Sequence, residues 1–283
     1  MRRRYAPPVK AALPWLSAPC VMGVLNVTPD SFYDGGAHDD PDAAWRRLHE
    51  VAAQGAAVCD VGAESTRPGA TPVPARTQID RLATLLARGA AEGWPVPLSI
   101  DTTSARVAEA ALDAGGVFVN DTSAGVEDER LLPLVAERGV GVCLMHRRGD
   151  PATMQRDPAY DDVVGEVRDA LAARVEAAVA AGVGEEAIVL DPGIGFGKTL
   201  AHNLALLAAL ERVAGGRGLL LGASRKRFIG HLTGAAVDDR LGGSLAAVAV
   251  AHAARAAVVR VHDVAATVQL LDVLAAVDAA RTY

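Results

Sequence analysis

Short apolar runs that stop at a polar residue alternate with helical stretches along almost the whole chain. The first run, Cys20 to Leu25, has the length and composition of a strand buried on both faces, and Asn26 ends it. A polar loop follows, and then residues 41–54 predict a helix with Pro41 in its first turn and Gly55 as its stop signal. The same strand and helix pattern recurs seven more times.

Seven further strands are predicted in this way, at residues 56–61, 97–100, 116–119, 140–145, 187–190, 218–223 and 257–261. Helices are predicted between and after them, at residues 78–91, 104–114, 128–138, 161–181, 200–213, 239–256 and 266–280. This unbroken alternation predicts an α/β fold, a single closed (β/α)8 TIM barrel, because open sheets of this kind usually have about five to seven strands. The expected domains are a lead-in segment at residues 1–19 and one barrel at residues 20–283.

Polar residues stand where the predicted strands end. In a barrel of this kind the active site lies at the C-terminal mouth of the strands. We therefore expect the strand-end side chains to form one ring around that mouth: Asn26, Asp60, Asp101, Asn120, His146, Asp191, Ser224 and His262. Arg260 and His262 are two positions apart, so on a strand their side chains would share a face.

Composition and charge limit the class of protein. Hydrophobic residues make up 51% of the chain and aromatic residues 4%, which suits a core of Ala, Val and Leu between helices and a parallel sheet. The formal net charge of -6 argues against a nucleic-acid partner, because phosphate neutralisation needs clustered Lys and Arg. Cys20, Cys59 and Cys143 lie in apolar runs without a CxxC spacing, so we expect buried free thiols and a reducing cytoplasm.

The sequence indicates neither a signal peptide nor a membrane span. The apolar part of the first residues is interrupted by Pro14 and is too short for the core of a signal peptide. The longest apolar stretch, residues 244–259, contains His252 and Arg255, so it does not predict a transmembrane helix. We therefore expect a cytoplasmic protein with no membrane partner.

The glycine-rich run DPGIGFGKT, residues 191–199, fits neither common phosphate loop. A Walker A loop requires Gly where Pro192 stands, and the dinucleotide-binding pattern requires Gly where Lys198 stands. We expect these glycines to let the backbone pass close to a planar ligand beside Asp191. A helix cap is the alternative role for Asp191, but its place between a buried strand and Pro192 favours a role at the mouth.

Two basic stretches are candidate anion sites. ESTRPGA, residues 64–70, offers two hydroxyl groups and Arg67 on a loop stiffened by Pro68, although a solvated loop explains this segment equally well. SRKR, residues 224–227, is either a surface charge run or part of the mouth, and its place after the seventh strand favours the mouth. The seven histidines show no metal-ligand spacing, so no cluster of protein ligands for a metal is predicted.

Eight motifs, taken in order, closely resemble those of the dihydropteroate synthases, a family of pterin-binding barrels. They are NVTPDSF (26–32), ESTRPGA (64–70), SIDT (99–102), ND (120–121), LMH (144–146), DPGIGFGKT (191–199), SRK (224–226) and RVHDV (260–264). The resemblance runs from about residue 20 to 280. It implies the condensation of 6-hydroxymethyl-7,8-dihydropterin diphosphate with 4-aminobenzoate to 7,8-dihydropteroate and diphosphate in folate biosynthesis, with Mg2+ as cofactor and a homodimer formed through the last helices.

The resemblance also implies roles for individual residues. It places the pterin on Asp101, Asn120, Met145, Asp191, Lys226 and Arg260. It places the diphosphate on Asn26, Arg67, Arg260 and His262, with Asn26 as a ligand of Mg2+. The 4-aminobenzoate pocket is expected from Phe32, Thr66, Pro68, Phe196 and Ser224. Catalysis is expected from Asn26, Asp34, Lys226, Arg260 and His262, with Asp34 beside a cation at the pterin methylene.

Two departures and two alternatives accompany this resemblance. Ala63 stands where the family usually has a second glycine, and Tyr33 replaces a commonly small residue. A methyltransferase that moves a methyl group from methyltetrahydrofolate to a corrinoid protein would share the Asp and Asn that hold the pterin, but it has no use for ESTRPGA or SRK. A paralogue that binds pterins without catalysis is the alternative from a different class.

Overall fold

The computed structural model describes residues 13, 19–28, 42–64 and 71–281, and these residues form a closed barrel of eight parallel strands. The strands are β1 Cys20–Asn26, β2 Val58–Gly62, β3 Leu98–Asp101, β4 Phe118–Asp121, β5 Gly141–Met145, β6 Ile188–Asp191, β7 Gly218–Leu221 and β8 Val258–Val261. Each strand pairs with the next one along the chain, and β8 closes the barrel by pairing with β1. The (β/α)8 prediction is confirmed.

Ten α-helices are described on the outside of the barrel. They are α1 Ala43–Ala53, α2 Ala75–Glu92, α3 Ala105–Asp113, α4 Leu131–Arg138, α5 Val163–Ala180, α6 Leu200–Leu207, α7 Leu210–Ala214, α8 Arg227–Thr233, α9 Leu241–Ala253 and α10 Val264–Ala280. Their buried faces pack Ala, Val and Leu side chains against the outer surface of the strands. None of the described helices is long and apolar enough to cross a bilayer.

The predicted helices differ from the structure at two places. Residues 200–213, predicted as one helix, form α6 and α7, because the backbone of Ala209 (φ −130°, ψ 26°) leaves the helical region. The buried positions run on at helical spacing from Asn203 to Val213, so periodicity alone does not reveal the break. The short helix α8 was not predicted, because seven residues after a basic turn are too few for a clear pattern.

The strand register places the predicted residues in one row at the mouth. Asn26 pairs with Gly62, Gly62 pairs with Asp101, and Asp101 pairs with Asn120. On the other side of the barrel Met145 pairs with Asp191. The C-terminal ends of six strands therefore meet at one rim, as the alternation of strands and helices predicted.

The floor of the barrel is closed by side chains from the strands and by Leu13. Leu13 is fully buried in a cluster that includes Met22, Val58, Phe118 and Leu220. Gly141 makes room for this packing, since a Cβ atom there would collide with the Leu13 and Phe118 side chains. The three cysteines are free and buried, so they act as core residues. Burial raises the pKa of the Cys20 thiol to about 12, which keeps it unreactive.

Replacing Leu13 with Ala is expected to lower the free energy of unfolding by about 2 to 5 kcal/mol, because it leaves a cavity in the barrel floor. Urea denaturation of the wild type and the variant measures this difference. Leu204→Ala is the matched control, since Leu204 on α6 is 38% exposed and its truncation opens no internal cavity. Equal losses of unfolding free energy in both variants would show that Leu13 contributes no more to stability than a surface side chain does.

Candidate active site

The centre of the mouth is an ion-paired group formed by β8, β2 and β3. Arg260 Nε donates to Asp60 Oδ2 at 2.6 Å, and Arg260 Nη2 donates to Asp101 Oδ2 at 2.7 Å. Burial acts to lower the pKa of Arg260, but the two carboxylates outweigh it and hold that pKa above its ordinary value. The guanidinium is therefore charged. Its orientation is fixed by the carboxylates of Asp60 on β2 and Asp101 on β3.

Asp60 connects the other side chains of this group, although it was predicted only as one of the strand-end residues and not as a ligand contact. It is fully buried, and its two oxygens also accept from Ser99 Oγ at 2.5 Å and from Asn120 Nδ2 at 2.8 Å. Its carboxylate thus fixes the side chains of Asn120 and Arg260, both predicted to bind the pterin. The available signal was its place among the strand-end polar residues, since a buried carboxylate needs partners of this kind.

Asp101 has one carboxylate oxygen available for a ligand. Its Oδ2 accepts from Arg260, whereas its buried Oδ1 has no hydrogen-bond partner in the part of the chain that the structure describes. Burial raises the pKa of Asp101 to about 7, and the charge of Arg260 opposes that rise. A buried polar atom without a partner carries a free energy cost, so the Oδ1 atom fits a group that gains a partner when ligand binds.

Asp191 and Lys226 face each other across the other half of the mouth. Asp191 Oδ1 accepts from the backbone N–H of Gly193 at 2.7 Å, and burial raises the pKa of this carboxyl while Lys226 opposes the rise. A Cβ atom at Gly222 would lie 3.5 Å from Asp191 Oδ2 and 3.9 Å from Lys226 Nζ. The absence of a side chain at Gly222 therefore leaves space beside both charged groups, which a flat ligand can use.

Lys226 also contacts the loop that follows β6. Its Nζ donates to the carbonyl of Ile194 and lies 4.6 Å from the centroid of the half-buried Phe196 ring. Burial lowers the pKa of Lys226 to about 8, and Asp191 opposes this change. The ammonium group is thus placed between the residue predicted to hold the pterin and the ring predicted to line the benzoate pocket.

The glycines of this loop have conformations and contacts that a side chain would not allow. Gly193, Gly195 and Gly197 all have positive φ angles, between 63° and 85°. A Cβ atom at Gly193 would collide with the His146 carbonyl, and one at Gly197 would collide with the Arg148 carbonyl. The close approach that Gly193 and Gly197 permit is therefore to the neighbouring loop after β5, and it gives the β6 loop its shape.

His146 and Lys198 form a buried pair behind this loop. Lys198 Nζ lies 3.0 Å from His146 Nδ1 and donates to the Phe196 carbonyl at 2.9 Å. Burial lowers the pKa of His146 to about 3 and that of Lys198 to about 7, so the imidazole is neutral and accepts from the amine. His146, expected in the ring of mouth residues, is thus paired with Lys198, a residue of the DPGIGFGKT motif for which no role was predicted.

Ser224 and His262 are brought together between β7 and β8. The Ser224 Oγ atom accepts from the backbone N–H of His262 at 3.2 Å and lies 3.1 Å from His262 Nδ1. The next residues along each loop also pair, because Arg225 Nε donates to Asp263 Oδ2 at 3.0 Å. A residue expected at the benzoate and one expected at the diphosphate are therefore in direct contact.

Five of the predicted site residues lie outside the described part of the chain: Phe32, Asp34, Thr66, Arg67 and Pro68. Glu64, which precedes the second of these segments, is anchored by Gln78 Nε2 at 2.9 Å and by the Val73 N–H at 2.7 Å. Ala63, the departure that precedes Glu64, is buried, and its carbonyl accepts from Arg81 Nη1 at 2.7 Å.

Asn26 is the candidate metal ligand at the mouth. It is the half-buried last residue of β1, and its amide oxygen is the hard kind of donor that Mg2+ prefers. The described residues contain no group of three or more His, Cys, Asp or Glu side chains that could hold a metal. This donor set fits an ion that takes one or two protein ligands and completes its coordination with substrate phosphates and water.

Comparison with known proteins assigns this barrel to a class. Residues 22–262 match the sequence model of the family described as pterin binding enzyme, and the chain belongs to the pterin-binding enzymes. Within them it belongs to the dihydropteroate synthases. A dihydropteroate synthase of Mycobacterium leprae (strain TN) is 49% identical over 266 residues, which are 90% of this chain and 92% of that protein.

Solved structures of dihydropteroate synthases agree with this assignment. The Xanthomonas albilineans enzyme with 4-aminobenzoic acid is 45% identical, with a TM-score of 0.87 over 93% of this chain and 94% of that chain. The same organism's enzyme in complex with 7,8-dihydropteroate is 41% identical, with a TM-score of 0.83 over 93% of this chain and 95% of that chain.

Proposed function

We propose that the protein condenses 6-hydroxymethyl-7,8-dihydropterin diphosphate with 4-aminobenzoate to give 7,8-dihydropteroate and diphosphate. The observation that carries this proposal is the ring of acceptors and cations at the barrel mouth of a member of the dihydropteroate synthases: the buried Asp191 and Asp101 with the half-buried Lys226 and Arg260. The reaction forms a bond from the amine nitrogen to the pterin methylene carbon and breaks the bond from that carbon to oxygen. The bonding electrons leave with the diphosphate, and the amine loses a proton.

The pterin half of the site provides acceptors for an edge rich in N–H groups. Such an edge provides partners for the buried carboxylate of Asp191 and for the Oδ1 atom of Asp101, which has no partner among the described residues. Lys226 supplies an N–H donor for the carbonyl and ring nitrogen of the pterin, and Met145 is buried one strand away from Asp191. The site is thus complementary to a planar heterocycle with both donors and acceptors.

Arg260 is positioned before substrate arrives. Because Asp60 and Asp101 hold two of its nitrogens, no rearrangement of the guanidinium is needed when charge develops on the leaving group. Its plane can also stack on the pterin ring. His262 is close enough along the chain to share the diphosphate with it, and Arg67 is proposed to contribute from the second loop.

The diphosphate half uses Asn26, which would hold Mg2+ together with oxygens of the substrate. When bound, the ion would neutralise negative charge on the departing diphosphate. The 4-aminobenzoate would lie against Phe196 with its carboxylate towards Ser224, and Phe32, Thr66 and Pro68 are proposed to complete that pocket. Asp34 is proposed to stabilise positive charge at the pterin methylene.

Turnover of the pterin diphosphate with 4-aminobenzoate, followed as diphosphate release, tests the function. Formation of dihydropteroate at the same rate as diphosphate would support it. Binding of pterin without any turnover would show a non-catalytic paralogue. Methyl transfer from methyltetrahydrofolate to a corrinoid protein would show the other pterin-binding class, which does not use the SRK motif at residues 224–226.

Asn26→Ala is expected to lower kcat by at least about tenfold while leaving the affinity for a pterin without diphosphate unchanged, because the amide oxygen acts on the metal and the leaving group. Activity assays and pterin titrations with and without Mg2+ separate the two effects. The loss of Mg2+ dependence should accompany the loss of rate. Equal losses of pterin affinity and turnover would make Asn26 a residue of the scaffold.

A homodimer in the cytoplasm is the proposed state of the protein. Apolar side chains are exposed on the last two helices, with Leu241 and Val250 on α9 and Val273 and Val277 on α10. The two helices pack against each other, so these exposed side chains are the proposed association site. Sedimentation of the wild type, compared with Val273→Glu, would show whether this surface holds two copies together.

A further inference from the structure

Two neighbouring contacts join the loop after β7 to the loop after β8. Ser224 contacts His262, and the next residue on each side, Arg225 and Asp263, form an ion pair. The pair is bidentate, since Arg225 Nε and Nη2 each donate to a different oxygen of Asp263. The two charged side chains are 33% and 20% exposed, so the ion pair is only partly screened by water.

The backbone around Arg225 is shaped to make this contact. Arg225 has a left-handed conformation (φ 56°), its N–H donates to Ser244 Oγ at 2.9 Å, and its carbonyl accepts from Arg240 Nη1 at 3.0 Å. The hydrogen bonds from Arg225 lower the pKa of Asp263, so the carboxyl is charged at neutral pH. A non-glycine residue in this conformation is uncommon and needs support from its surroundings, which these contacts supply.

The hydroxyl group of Ser224 has room for one more partner of a particular kind. A serine hydroxyl accepts two hydrogen bonds and donates one. The His262 N–H uses one acceptor position, and Nδ1–H can use the second, which leaves the hydroxyl hydrogen for an outside acceptor such as a carboxylate. If Nδ1 instead lacks a hydrogen, the Ser224 hydroxyl donates to Nδ1 and is no longer available to a carboxylate.

We propose that the Arg225–Asp263 ion pair is a positioning device that holds Ser224 against His262 and so couples the diphosphate end of the site to the benzoate end. The proposal rests on the function proposed above. A diphosphate that accepts a hydrogen bond from Nε2–H of His262 also places negative charge beside the ring, which favours the positively charged ring with hydrogens on both nitrogens. That ring donates through Nδ1 to Ser224 and frees the Ser224 hydroxyl for the carboxylate of 4-aminobenzoate.

Calorimetry of 4-aminobenzoate binding tests the coupling. For each protein the affinity is measured alone and in the presence of 6-hydroxymethylpterin, inorganic diphosphate and Mg2+, and the ratio of the two affinities is the coupling. Asp263→Asn and Arg225→Asn are each expected to lower that ratio by about fivefold or more, and the double variant by no more than either single one. Asn suits position 225 because it tolerates a left-handed backbone.

Asp238→Asn is the matched control. Asp238 Oδ1 lies 3.8 Å from Arg225 Nη1, but its side chain is 87% exposed, so its neutralisation should leave the coupling unchanged. Ser224→Ala removes the relay directly and is expected to abolish the coupling. The affinity for the pterin alone should stay the same in all variants, because Asp191 and Asp101 are untouched.

Three outcomes would overturn the proposal: an unchanged coupling in Asp263→Asn, additive losses in the double variant, or a loss of pterin affinity equal to the loss of coupling. The last outcome would mean general disorder of the mouth. Thermal unfolding identifies variants that fail to fold, and Ser224→Ala then provides the decisive comparison. If the wild type itself shows no turnover, the proposed function has failed independently of the coupling measurement.

Discussion

Asp191→Asn is expected to weaken the binding of a simple pterin by about one to two orders of magnitude, which corresponds to about 1 to 3 kcal/mol. The carboxylate is buried, and one of its oxygens is already committed to the Gly193 N–H. An amide replaces an acceptor with a donor that would face another donor on the pterin edge. The substitution also removes the negative charge that interacts favourably with the Lys226 ammonium group.

Isothermal titration of the pterin into both proteins measures this effect, with Asp238→Asn as a control for the removal of one negative charge at an exposed position. The control should bind with wild-type affinity. Unchanged affinity in Asp191→Asn would mean that the pterin lies elsewhere at the mouth. A parallel drop in both variants would point instead to the overall charge of the protein.

Arg260→Met is expected to lower the free energy of unfolding by about 3 to 5 kcal/mol at pH 8, because it leaves two buried carboxylates without their cation. Asp60 is fully buried and Asp101 is 5% exposed, so water cannot replace the guanidinium. Arg217→Met is the control. It breaks an exposed ion pair with Glu185 and should cost no more than about 1 kcal/mol.

The loss in Arg260→Met should shrink as the pH is lowered to about 5. Burial already raises the pKa of Asp101 to about 7 against the opposing charge of Arg260, and removing that charge raises it further. A carboxyl group whose pKa is higher in the folded state contributes its full stability at pH values below its pKa in the unfolded state. That contribution is lost as the pH rises through its pKa in the folded state. Urea denaturation at both pH values measures the change, and a loss independent of pH would mean that Asp101 takes up no proton in the variant.

The parts of this structure that depend on local pattern follow from the sequence. Each strand is a short apolar run that ends at a polar residue, and parallel pairing in register then carries Asn26, Asp101 and Asn120 to one rim. Strand ends such as Asp191 can therefore be placed at the mouth without any knowledge of contacts. The resemblance to the dihydropteroate synthases adds the chemistry of their side chains.

The parts that depend on long-range contact do not follow in this way. Asp60 and Arg260 are 200 positions apart, and nothing near either residue indicates the other. Lys198 fits no phosphate-loop pattern, and only the packing of two loops shows that its amine ends on His146. The break at Ala209 leaves the spacing of buried residues intact, so a backbone angle decides what periodicity cannot.

The position of Arg260 on the last strand links assembly of the site to synthesis of the chain. Asp60 and Asp101 leave the ribosome long before their cation, since Arg260 follows them by 200 and 159 positions. Until β8 pairs with β1, the carboxylates of a partial barrel stay hydrated, because burying them unpaired is costly. The charged centre of a nascent chain therefore cannot be complete before β8 is in place. The pairing of β8 with β1 removes the open sheet edges and completes the charged centre in the same step.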